Sequence, residues 1–268
     1  MAEKLFLFPE TVALLNEHQI GFHTSSHSVH PTVFEFTDVE NYGEAYQTSL
    51  FRETGHINPL SGAVEGKGGI YELRTLFPRK QINSFRAPGF CWTPPHLDAL
   101  KTLGISYDFS AALSTKACSY KGVNFYPRPT PYIFHARTNY RFVWNLLSRD
   151  VSVFMLHPND MVNRRGWDLI YHKCNPTSLV QPPPQTHKET AFLFHEFEIL
   201  LKNIKALNKL NILEVTPSLR PAEQILAPTL SQVEKCYECS MDWPKSWFKY
   251  KPKFIHQHFV NFFRVNSK

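Results

Sequence analysis

The spacing of apolar positions along the chain predicts short helices alternating with shorter strands. Apolar residues recur at helical spacing most clearly in His187–Leu210, where Phe197 and Leu201 fall on one face. An almost uninterrupted apolar run, such as Val151–Leu156, is typical of a buried parallel strand. The pattern predicts helices at Pro9–His18, Tyr42–Glu53, Ile70–Phe77, Pro94–Leu103 and His187–Leu210, and strands at Gln81–Phe85, Ile105–Phe109, Val123–Tyr126, Val151–Leu156 and Ile212–Val215.

The order of these elements indicates an α/β fold. Residues 81–109 form a strand, a loop, a helix stopped by Gly104 and a second strand, which is the βαβ unit of a parallel sheet. Either an α/β barrel or a doubly wound sheet is therefore expected for residues 1–220. After Arg220 the sequence becomes rich in Pro, Lys and aromatic residues, so residues 221–268 are predicted to form a C-terminal appendage.

Composition narrows the functional class. The 268 residues are 43% hydrophobic, enough for a sizeable core. The net charge of +6 is dispersed without a run of five like charges, which makes a nucleic-acid partner a weak prediction. Five scattered cysteines favour reduced thiols over a disulfide framework. No signal peptide or membrane span is evident, so we expect a soluble, cytoplasmic protein.

Candidate chemistry lies at predicted strand ends. His23 and His27 are four residues apart and separated by small hydroxyl residues, which is a metal-ligand spacing. From spacing alone, it is equally consistent that one of them packs and the other faces water. Two further polar clusters follow predicted strands: one begins at Arg86, and the other is His157-Pro158-Asn159-Asp160. Ligand sites in α/β folds favour this end of the strands.

These three clusters, in this order, resemble the motifs of the polysaccharide deacetylase family, also called the NodB-homology or carbohydrate esterase 4 family. The histidine motif stands as His23-Thr24-Ser25-Ser26-His27, and the arginine motif is similar to Phe85-Arg86-Ala87-Pro88-Gly89-Phe90. Leu156-His157-Pro158 is similar to the last motif. The resemblance covers roughly residues 10–219. It implies a distorted, incomplete (β/α) barrel that removes acetyl groups from N-acetylated amino sugars with a divalent metal, usually zinc.

The resemblance also implies a role for each residue. His23 and His27 would be metal ligands, and His157 would be the general acid that protonates the leaving amine. Arg86 would position an aspartate base, and the Gly89 amide would face the oxyanion. The segment Pro88, Gly89, Phe90 and Trp92 would contact substrate.

Most of these residues also have a structural interpretation. Arg86 would then bridge loops and His157 would cap a helix. Asp108 either orients His157 or caps a strand, and Trp92 either forms a sugar-binding wall or packs in the core. His30 is expected at the surface rather than among the ligands. Cys236-x-x-Cys239 is a single pair, for which a redox or zinc role is not favoured.

One family motif is missing. A strand ending in two aspartates, which supply the base and the third metal ligand, should precede the histidine motif, but the 22 residues before His23 contain no Asp. Either the chain is a fragment or the site is naturally incomplete. Two histidines alone should hold zinc weakly, so the 268-residue chain is expected to be a very poor deacetylase. The alternatives are a non-catalytic carbohydrate-binding scaffold and a basic interaction module. The substrate, an N-acetylated glycan or a small amide, is not encoded in a readable form.

Overall fold

The computed structural model describes residues 5–114, 116–131, 151–164, 166, 168–210, 219–222 and 228–263. The predicted strand at Ile212–Val215 lies outside these residues. Two compact units are present: Met1–Arg128 with Tyr171–Leu179 and Pro221–Lys268 form the first, and Pro129–Ile170 with Val180–Arg220 form the second.

Helices predicted from local signals begin and end within a few residues of the observed bounds. Asn41 accepts a hydrogen bond from the Glu44 amide at 3.1 Å and caps the helix that begins at Tyr42. A reciprocal capping box of Thr186 and Glu189 starts the longest described helix. The helices are α1 (Pro9–Leu15), α2 (Val33–Phe36), α3 (Tyr42–Glu53), α4 (Ile70–Leu76), α5 (Pro94–Thr102), α6 (Asn159–Val162), α7 (Asp168–Tyr171), α8 (His187–Lys209), α9 (Leu230–Trp247) and α10 (Ile255–Phe262).

The strands are short and confirm the mixed α/β class. They are β1 (Gly55–Ile57), β2 (Val64–Lys67), β3 (Ser84–Phe85), β4 (Tyr107–Asp108), β5 (Cys118–Tyr120), β6 (Val123–Phe125), β7 (Thr130–Pro131) and β8 (Phe154–Met155).

The central sheet has the order β3-β4-β6-β5. Strands β3, β4 and β6 are parallel, and β5 joins β6 antiparallel. The predicted βαβ unit is confirmed as β3, α5 and β4, since Phe85 pairs in register with Asp108. Strands β1 and β2 form an antiparallel pair in the first unit, and β7 and β8 form a parallel pair in the second.

Residues 221–268 are grouped with the first unit, which differs from the predicted division at residue 220. The physical reason is aromatic packing in the core. Phe259 and Phe262 of α10 pack edge-on against Trp92, with ring centroids 4.9 Å and 6.4 Å away. Asp38 accepts hydrogen bonds from the backbone amides of Phe254 and Ile255, at 2.7 Å and 3.1 Å, and so caps the start of α10.

Among the described residues, no helix is long and apolar enough to cross a membrane.

Candidate functional site

The predicted histidine and arginine motifs lie at one edge of the sheet. Phe22 pairs in parallel with Phe85 of β3: the Phe22 amide donates to the Ser84 carbonyl at 2.8 Å, and the Arg86 amide donates to the Phe22 carbonyl at 3.2 Å. His23 and Arg86 therefore follow paired residues and leave the sheet side by side. This is the carboxyl end of parallel strands, where ligand sites of α/β folds are built.

His23 and His27 are brought together by a tight loop. Their ring centroids lie 5.0 Å apart with a near-perpendicular interplanar angle of 68°. Thr24 and His27 adopt positive φ values of 63° and 44°, which non-glycine residues rarely do. The loop thus brings the two imidazoles into contact, and both side chains are part-buried.

Hydrogen bonds show which nitrogen of each imidazole is already bonded within the protein, and so which nitrogen could bind a metal. His23 Nδ1 bonds to the Arg86 carbonyl, and because a carbonyl only accepts, Nδ1 carries the proton. His27 Nδ1 bonds to Ser28 Oγ at 3.0 Å. A metal-binding histidine is usually held through one nitrogen in this way so that the other faces the metal. His23 Nε2 is therefore the nitrogen suited to a metal.

Arg86 contacts the histidine pair directly. Its Nη2 lies 3.2 Å from His23 Nε2, so the guanidinium donates to the nitrogen that a metal would use. The same guanidinium lies over the Phe90 ring at 5.9 Å, and Arg128 lies over that ring at 4.3 Å. Two cations thus converge beside one aromatic ring at the edge of the site.

The Pro88–Phe90 segment forms a 3₁₀ turn covered by the C-terminal helix α9. Gly89 has φ +56°, and a Cβ atom there would lie 2.4 Å from the Trp243 ring, so only glycine fits. Pro88 and Trp243 also line a slot of about 10 Å³ beside His27, roughly the room for one water molecule.

Trp92 was predicted to contact substrate, but its side chain is buried in the core. Its side chain is 1% exposed and packs among Phe125, Phe259, Phe262 and Phe263. Of the two interpretations given to it, the core role is the one observed, because a ring enclosed on these sides presents no face to a sugar.

Asp108 is buried beneath the same sheet edge. Its Oδ1 accepts from the amides of Ser110 and Ala111 at 2.9 Å and 2.8 Å, which is the capping role. Its Oδ2 has no hydrogen-bond partner among the described residues. Burial raises the pKa of Asp108 to about 6, although these amide bonds oppose the shift.

His157 lies in the second compact unit, just before α6. Its side chain is 53% exposed, and its Nδ1 lies 3.9 Å from Asp160 Oδ2. The Asp160 amide donates to the His157 carbonyl at 3.0 Å, so this local turn sets the position of the residue. Burial raises the pKa of Asp160, while the charge of His157 opposes that rise.

His30 was expected at the surface, but only 18% of its side chain is exposed, because both ring nitrogens are hydrogen-bonded within the fold. Nδ1 bonds to the Glu35 carboxylate at 2.8 Å, and Nε2 bonds to the Tyr171 carbonyl at 2.8 Å. The bond to Glu35 raises the pKa of His30, although burial opposes this shift. With both nitrogens donating, the ring has none to offer a metal.

Sequence reasoning missed the buried ion pair between Glu53, the last residue of α3, and His96 of α5. Glu53 is fully buried, and its carboxylate bonds to His96 Nε2 at 2.8 Å, to the Ser25 amide at 2.8 Å and to the Thr24 hydroxyl. Burial opposes ionisation, but these bonds hold the pKa of Glu53 below its ordinary value. A local signal existed: a carboxylate at a helix C-terminus opposes the helix dipole and needs a reason to be there.

The residues fit a zinc ion in donor chemistry. Two imidazoles lie in edge-to-face contact, and the protonated nitrogen of His23 is anchored on a carbonyl. They supply two ligands, fewer than the three or four of ordinary zinc sites. No group of three or more His, Cys, Asp or Glu suited to a metal occurs within the described ranges.

Comparisons of the chain with family models, with curated proteins and with solved structures found no match.

Proposed function

We propose that the chain is a metal-dependent hydrolase of the polysaccharide deacetylase type, which removes N-acetyl groups from amino sugars. The observation that carries the proposal is the histidine pair: two rings 5.0 Å apart at the carboxyl end of a parallel sheet, with His23 anchored through Nδ1. That arrangement suits a divalent metal, and the neighbouring Arg86 suits a substrate or base that carries negative charge.

In this proposal His23 and His27 hold the metal. When bound, zinc polarises a carbonyl and lowers the pKa of a water molecule toward roughly 7. The imidazoles must be neutral to bind it, because a metal-binding nitrogen needs a free lone pair.

The remaining residues handle charge and protons. Arg86, whose guanidinium lies beside His23, holds a negatively charged group there. By the same family resemblance, the Gly89 amide would face the oxyanion. The family resemblance gives His157 the role of proton donor to the leaving amine, and a half-exposed imidazole is chemically suited to that role. Asp108, with a pKa raised to about 6, is a carboxyl group able to exchange a proton near neutral pH.

The finer points of fold and location belong to the same proposal. Parallel strands β3, β4 and β6 would be part of a distorted, incomplete (β/α) barrel. A cytoplasmic location also belongs to the proposal, and the five scattered cysteines, which favour reduced thiols, support it. The substrate class is an N-acetylated carbohydrate or a related small amide.

The test is acetate release from N-acetylglucosamine oligomers by the zinc-loaded chain. We expect a slow release that depends on zinc and is absent in His23→Ala. Oligomer binding without any acetate release, in wild type as in the variant, would instead assign a non-catalytic carbohydrate-binding role. If the chain neither releases acetate nor binds the oligomer, the proposal is refuted.

A further inference from the structure

The loop between the two histidines is hydrogen-bonded to the last two residues of helix α3, Arg52 and Glu53. Glu53 accepts hydrogen bonds from the Thr24 hydroxyl and, at 2.8 Å, from the Ser25 amide. Arg52 donates from Nε and Nη2 to Ser26 Oγ, both at 3.3 Å. Every residue that separates His23 from His27 is therefore bonded to the end of one helix.

Glu53 is itself immobilised. Its side chain and that of His96 are both fully buried, with Oε1 and Nε2 separated by 2.8 Å. Ser25 Oγ also donates to the Glu53 carbonyl at 3.3 Å. A Cβ atom at Gly69 would lie 2.2 Å from both the Glu53 carbonyl oxygen and Ser25 Oγ, so the backbone of α4 closes the other side of this contact.

Arg52 is fixed by backbone carbonyls from two other segments, one just after the histidine loop and one between β1 and β2. Its Nη1 donates to the Gly62 carbonyl at 3.0 Å, and its Nη2 donates to the Pro31 carbonyl at 3.1 Å. The guanidinium also lies over the Phe36 ring at 5.0 Å. Because the charge is buried and its donors are used, the guanidinium holds Ser26 in one place.

The loop needs such support because its backbone is strained. Thr24 and His27 have φ values of 63° and 44°, and residues in this region keep their conformation only where the surroundings impose it. Without the bonds to α3 the loop would relax, and the two rings would lose their edge-to-face contact. A pair of metal ligands requires a fixed geometry of this kind.

We propose that Arg52 and Glu53 are positioning residues that hold His23 and His27 as a preformed pair of metal ligands. This inference rests on the proposed function as far as the metal is concerned. The arrangement of the rings themselves does not depend on it.

The test compares loop variants with a matched control. Ser26→Ala and Ser49→Ala make the same change at two fully buried serines, of which Ser49 donates only within α3, to the Ala45 carbonyl at 2.7 Å. Thr24→Val removes the hydroxyl that bonds Glu53, and Thr24→Ser restores it. Circular dichroism verifies that each variant is folded. If Thr24→Val does not fold, Ser26→Ala still tests the proposal.

Two readouts are taken from each folded variant. Calorimetric titration with zinc should show affinity lowered about tenfold in Ser26→Ala and in Thr24→Val, and unchanged within error in Ser49→Ala and Thr24→Ser. Long-range ¹H–¹⁵N spectra of the metal-free protein should show His23 as a single Nδ1–H tautomer in wild type, and as a mixture in Thr24→Val and Ser26→Ala.

The outcomes separate the two proposals. Unchanged zinc affinity and an unchanged His23 tautomer in the loop variants would overturn the positioning role. A wild-type chain that binds no zinc, but whose His23 spectrum changes in the loop variants, would overturn the metal-dependent function and leave the positioning of the rings supported.

Discussion

The two histidine clusters predicted at strand ends differ in how firmly the fold holds them. The His23–His27 loop is bonded to β3 and to the buried end of α3. His157, in the second unit, is 53% exposed, and its Nδ1 lies 3.9 Å from Oδ2 of Asp160 in the same turn. Similar short motifs can therefore have very different degrees of preorganisation.

The difference matches the tasks proposed for the two clusters. A pair of metal ligands needs fixed ring geometry, whereas a proton donor must exchange protons with solvent and is served by exposure. Variants of one cluster can therefore be compared with variants of the other, or of an exposed site, to measure this difference.

The largest effect is expected on stability. Glu53→Ala should lower the free energy of unfolding by about 3–5 kcal/mol, because it leaves a buried His96 and the loop donors without their acceptor. Asp160→Ala should cost less than about 1 kcal/mol, since its contact is exposed. Urea denaturation of both variants measures the comparison, and equal costs would contradict it.

Metal affinity should separate the clusters next. His27→Ala is expected to lower zinc affinity roughly 100-fold or more, because only two ligands are supplied by the pair. His157→Ala should leave zinc affinity unchanged within error. Calorimetric titration of the two variants checks this, and equal affinity of His27→Ala and wild type would remove the pair from the ligand set.

The buried carboxyl group of Asp108 should make the free energy of unfolding depend on pH. Its pKa in the folded chain, about 6, lies above the ordinary 3.8, so folding favours the protonated carboxyl. The stabilising contribution is therefore present at low pH and is lost as the pH rises through 6. Compared with Asp108→Asn, wild type should lose on the order of 2 kcal/mol of unfolding free energy between pH 4 and pH 7. Parallel stability–pH curves for the two proteins would refute the assignment.

The smallest predicted effect concerns Arg86. Because its guanidinium lies 3.2 Å from His23 Nε2, Arg86→Met should raise zinc affinity, by about tenfold, through the loss of a competing donor and of a like charge. Arg79→Met removes the same charge from an exposed position and serves as the control. Zinc titration of both variants measures the effect, and weaker binding by Arg86→Met would show that the arginine supports the metal.

Local signals predicted much of the fold. Helix α3 was predicted at its observed bounds, because its start is set by the Asn41 cap and its end by the turn at Thr54 and Gly55. Strands β3 and β4 were predicted in the correct order but too long, because pairing with neighbours, which the sequence does not show, sets their length. Helices α9 and α10 were missed: Pro244 lies inside α9, and the tail was predicted only as an appendage packed through its aromatic residues.

The site was predictable only in part. The spacing of His23 and His27 and the motif around Arg86 are local, and the structure brings these residues together. The contact between Glu53 and His96 joins positions 43 residues apart, and Trp243 reaches Gly89 from the far end of the chain. Neither contact leaves a periodic signal, so only the tertiary fold reveals them.

The most direct test of the central claim is anomalous diffraction at the zinc edge from crystals of the chain grown with zinc. The account predicts a peak about 2.0–2.1 Å from Nε2 of both His23 and His27, with the Arg86 guanidinium moved away from His23. A strong peak elsewhere, such as at Cys236 and Cys239, with none between the two imidazoles, would contradict it.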